Sequence, residues 1–63
     1  MILKVISEID IDLEEIKNLI DKEDMDKVDA VEDYIAGLDD SDYYLIGCSE
    51  RQEIYEELRK QGY

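Results

Sequence analysis

Between Glu8 and Asp42 the chain carries fifteen carboxylates against three lysines, an excess of twelve that equals the net charge of the whole 63-residue sequence, -12. The remaining residues hold four acids and four bases and balance. Clustered carboxylates can ligate a hard cation or present an anionic face to a cationic partner, and the two uses demand different spacing. A calcium loop needs oxygen ligands at positions 1, 3 and 5, Gly at 6 and Glu at 12. Frames opened at Asp10, Asp24 and Asp39 fail, with Glu15, Asp29 and Tyr44 at the glycine position. Looser divalent binding at Asp21, Glu23, Asp24 and Asp26, or at Asp39, Asp40 and Asp42, is a minor alternative, and no metal or other cofactor is expected.

Nucleophilic chemistry has little to work with. The absence of histidine removes Ser-His and Cys-His pairs and the usual zinc, copper and haem ligand sets. The single cysteine, Cys48, stands between an expected strand and the start of a helix, with Arg51 one turn on. A helix N-terminus and a cation both favour a thiolate. An anion-cradling loop of the Cys-x5-Arg kind needs five intervening residues, however, and here there are two. Cys48 is therefore expected to be a small buried side chain, and the chain is expected not to be an enzyme.

These groups must be positioned by very little structure. A chain of this length makes one domain, residues 1–63, and buries only about 60% of the surface its unfolded form exposes. A 44% apolar content with periodic Leu, Ile and Val argues for folding over an acidic disordered tail. One cysteine permits no internal disulfide. The longest apolar runs, 1–3 and 43–46, fall far short of the roughly 20 residues that span a bilayer. No leader-like progression opens the chain, so a cytoplasmic protein with no membrane partner is expected.

"MILKVIS" crowds β-branched residues and predicts a strand over 2–7, although the apolar spacing 2, 6, 9, 13, 16, 20 also fits a helix. Asp12 with Glu15 makes a capping box for a helix over 13–23, whose stripe is Leu13, Ile16, Leu19 and Ile20. Asp26 caps a second helix with Val28, Val31, Tyr34, Ile35 and Leu38 within about a 120° arc, stopped by Gly37 in a left-handed conformation. Residues 39–42 read as a turn and "YYLIG", 43–47, as a second strand. Ser49 with Gln52 opens a third helix reaching about Gln61, supported by a Glu56–Lys60 pair, with Gly62 as its stop. The expected fold is a small α+β domain in β-α-α-β-α order, its two-stranded sheet covered by helices. Unpaired strand edges leave a homodimer through the sheet open.

The charge then becomes the main functional signal. Like charges about 6 Å apart cost about 0.7–1.4 kcal/mol at a surface dielectric near 40–80, a burden on a marginal domain. Helix N-termini excuse Asp12, Glu14, Glu15, Asp26 and Asp29, but not Asp33, Asp39, Asp40 and Asp42. Duplex phosphates lie about 7 Å apart along a strand, a spacing that carboxylates on adjacent helices can imitate. The sequence thus points to a small inhibitor or modulator of the type phages encode, mimicking DNA toward a basic, nucleic-acid-handling protein. Its contact surface is expected at Asp21, Glu23, Asp24, Asp26, Asp29, Glu32, Asp33, Asp39, Asp40 and Asp42. Tyr43 or Tyr44, on opposite faces of the second strand, supplies an aromatic anchor. Direct nucleic-acid binding is not expected, because the acids would repel phosphate. The alternative is a structural or oligomerising interaction module whose acids serve only solubility.

Overall fold

The computed structural model describes residues 1–4 and 8–63, so the part of the expected first strand at 5–7 lies outside the described residues. Two short strands, β1 (Ile2–Lys4) and β2 (Glu8–Asp10), pair antiparallel with Leu3 opposite Ile9. Met1 and Ile11 extend the pairing through reciprocal bonds: the Ile11 amide donates to the Met1 carbonyl at 2.6 Å and the Met1 nitrogen donates to the Ile11 carbonyl at 3.1 Å. Only alternate residues are buried, which is the period of a strand with one wet face. Leu3, Ile9 and Ile11 enter the core, while Lys4, Glu8 and Asp10 stay in solvent.

Four helices follow: α1 (Leu13–Lys22), α2 (Lys27–Ala36), α3 (Asp40–Leu45) and α4 (Cys48–Lys60). The α+β class and the two-stranded sheet are as expected, but the order is β-β-α-α-α-α. The second strand is Glu8–Asp10, and "YYLIG" is the end of α3 with the residues that follow it. Aromatic and β-branched content favoured a strand there, yet the preceding acids favour a helix more. Asp39 stands at the N-cap, and Asp40 and Asp42 occupy the first turn, where carboxylates meet the positive end of the helix dipole.

Helix α1 starts as anticipated at Asp12, whose carboxylate accepts from the Glu14 amide at 3.1 Å. The box is not closed by Glu15. The Asp12 amide donates instead to the Tyr34 hydroxyl at 2.9 Å, so the side chain that completes this cap comes from α2. Beyond α1, Asp24 takes a left-handed conformation (φ 55°), and the Met25 amide returns to the Leu19 carbonyl at 3.3 Å. In α2 the buried residues are Ala30, Val31 and Ile35, whereas Val28, expected in the stripe, is 56% exposed. Gly37 ends α2 in a right-handed conformation (φ −84°), not the left-handed one expected.

Gly47, not Ser49, caps α4. Glu50 reaches back to accept from the Gly47 amide at 2.7 Å, which a glycine N-cap permits because this half of the box uses only its backbone. At the far end Gly62 has φ +91°; its amide donates to Arg59 and the Tyr63 amide to Leu58, the paired bonds of a left-handed helix stop.

The elements meet on Ile16, Val31, Ile35, Ile54 and Leu58, all fully buried, with Leu3, Ile9 and Ile11 from the sheet and Ile46 from the α3–α4 junction. Each large aliphatic side chain removed from water is worth about 1.5–3 kcal/mol, which makes this single cluster the main source of stability.

Candidate functional site

The most regular group of anions sits on α2. Asp29, Glu32 and Asp33 are spaced i, i+3, i+4 and all are exposed. Ala30, Val31 and Ile35 take the opposite side into the core, and this anchoring turns the three carboxylates outward. Neighbours at such spacing are separated by about 5–6 Å at Cβ, close to the repeat of a phosphate strand.

The other expected contact residues lie along neighbouring segments. Asp21 belongs to α1, Glu23, Asp24 and Asp26 to the α1–α2 connection, and all four are exposed. Asp39 and Asp40 are exposed at the start of α3, while Asp42 is half-buried. No group of three His, Cys, Asp or Glu residues among the described residues is arranged to hold a metal ion, so neither loose carboxylate cluster gathers into such a site.

Two of these anions hold the fold together. Glu32 accepts from Arg51 Nε with both carboxylate oxygens, at 2.9 and 3.1 Å, joining α2 to α4. Arg51 Nη1 also donates to the Ile46 carbonyl at 2.6 Å, which fixes the α3–α4 junction. The hydrogen bond that Arg51 donates to Glu32, more than the carboxylate's charge, raises the guanidinium pKa against the opposing effect of burial. Asp21 accepts from the Tyr63 hydroxyl at 2.6 Å, and that bond raises the tyrosine pKa by favouring its protonated form.

The expected placement of the tyrosines on opposite faces of a strand is replaced by a helical one. Tyr43 and Tyr44 are consecutive in α3 and touch edge-to-face, with centroids 5.7 Å apart and planes at 86°. Tyr44 is 83% exposed, so its ring is the more accessible of the two. Cys48 is exposed as the first residue of α4, contrary to the buried position expected. Arg51 is turned toward Glu32 and Ile46. Glu56 and Lys60 are not within ion-pairing distance; the ion pairs among the described residues are Arg51–Glu32 and Lys17–Glu14.

Sequence reasoning missed an open groove of about 500 Å³ between α1 and α2. Glu15, Asn18 and Leu19 line one side, and Asp33, Tyr34, Gly37 and Leu38 the other. By sequence Glu15 reads as a cap residue; its signal as a groove residue is its place one turn before Leu19, beside the apolar stripe.

No helix among the described residues is long and apolar enough to cross a membrane. No family model, curated protein or solved structure matches the chain.

Proposed function

We propose that this domain acts by binding another protein, occupying the basic surface of a nucleic-acid-handling protein in place of nucleic acid. The observation that carries the reading is the solvent face of α2, where Asp29 and Asp33 flank Glu32 and neither has a cationic or hydrogen-bonding partner among the described residues. The net charge of -12 would steer such a partner at low ionic strength and discriminate against acidic competitors. Tyr44 supplies apolar contact area beside the acidic start of α3. The chain has no catalytic role in this reading.

The test is competition between this protein and duplex DNA for a basic DNA-binding protein. The wild type should displace the duplex at low salt and lose that ability as salt rises, since steering between exposed charges is screened. Asp29→Lys/Asp39→Lys/Asp40→Lys should abolish displacement. If the reversed protein competes as well as the wild type, the anionic face is not the contact surface.

A second reading, an oligomerising module, is favoured by exposed Ile2 and Val28, at 55% and 56%. Apolar association would survive high salt and appear in sedimentation as a larger species. Ile2→Lys/Val28→Lys should return that species to a monomer.

A further inference from the structure

We propose that the α1–α2 groove is a specificity pocket for an arginine side chain presented by the basic partner. This rests on the acidic-binder reading and names the group it grips. The groove is both apolar and anionic, which selects a long amphipathic cation over a simple one. Leu19 and Leu38 offer surface to an aliphatic stem, while Glu15 and Asp33, on opposite helices, offer carboxylates to its head. Neither carboxylate has a partner among the described residues, so both are available to an incoming charge.

Arginine fits this lining better than lysine. Its planar fork can address carboxylates on two sides at once, and it stacks on aromatic rings, where an ammonium is a compact, strongly hydrated point charge. Tyr34 supplies a ring in the wall, held in place because its hydroxyl accepts from the Asp12 amide at 2.9 Å. Asn18 adds an amide oxygen that can accept a further guanidinium N–H. The volume, about 500 Å³, is ample for one side chain.

Gly37 lines the groove at the end of α2. It is right-handed, and an added Cβ would meet the Tyr34 and Asp33 carbonyls at 3.4 and 3.8 Å, ordinary contacts. A larger residue there adds bulk at the groove's lining without straining the backbone.

The experiment is a titration of the full chain with a nona-arginine peptide at low salt, followed by amide NMR and calorimetry, with nona-lysine as comparison. The Asn18 side-chain amide and the Gly37 amide should shift most, and nona-arginine should bind several-fold more tightly than nona-lysine. Gly37→Leu, which alters no charge, should weaken nona-arginine binding by about tenfold or more, the scale of losing one buried anchor. Glu15→Gln/Asp33→Asn should weaken it well beyond Asp39→Asn/Asp40→Asn, which removes equal charge elsewhere.

Equal losses in the two double variants, with an unaffected Gly37→Leu and shifts spread over the acidic face, would overturn the pocket and leave the acidic docking surface standing. Failure of nona-arginine to bind any form would overturn both. If Gly37→Leu does not fold, as judged by its amide spectrum, the paired double variants alone decide.

Discussion

Tyr34 and Tyr63 each tie two elements together through a single hydroxyl. Tyr34 accepts from the Asp12 amide and so completes the cap of α1 from α2. Tyr34→Phe should lower unfolding free energy by about 1 kcal/mol in chemical denaturation, the usual worth of one such bond, with the helix content unchanged. The Tyr63 hydroxyl donates to Asp21, its ring lies 5.8 Å from Lys17 Nζ, and its main-chain oxygen accepts from Lys27 Nζ at 3.2 Å. The bond to Asp21 raises the Tyr63 pKa, and burial first of all raises that of Tyr55. A tyrosine whose pKa is higher folded than unfolded stabilises the fold fully below the ordinary tyrosine range. That contribution is lost as pH rises through the folded value. Thermal midpoints should therefore fall as pH climbs above about 10, and Tyr63→Phe should flatten that decline while lowering the midpoint at neutral pH.

At the scale of elements, helix ends settle what hydrophobic pattern leaves open. The residues of "YYLIG" suit a strand by type, but three acids at the start of α3 favour a helix, and Ile46 reaches the core just beyond its end. The strand that does pair with β1 is nearly hidden by its charges. In Glu8–Asp10, and in Ile11 after it, acids alternate with isoleucines, and their low strand propensity masks a period of two that the antiparallel register uses. The close of α4 is legible because a left-handed position after a helix strongly selects glycine. Gly62→Ala should cost about 1 kcal/mol through that conformation and should loosen Tyr63 from Asp21. A fall in stability much larger than that, or none, measured by denaturant titration, would show that the stop does not hold the end of the chain as described.

Over the whole molecule, a small core works against self-repulsion among anions concentrated in the first two helices, their connection and the start of α3. Added salt should raise the thermal midpoint steeply between low and physiological ionic strength, because exposed charges are screened over a Debye length of about 8–10 Å there. An insensitive midpoint would mean that the acids are spread too widely to strain the fold. The sequence by itself determined the α+β class, the positions of α1, α2 and α4, the glycine stop at 62 and the outward side of α2. These follow from local period and cap chemistry, which act within a few residues. Only the tertiary structure decided that Glu32 is bound by Arg51, that Tyr34 rather than Glu15 completes the α1 cap, that Val28 stays wet while Ala30 is buried, and that α1 and α2 leave a groove between them. Each of these depends on which faces of distant elements meet, and a helix stripe states how much surface must be covered without stating what covers it.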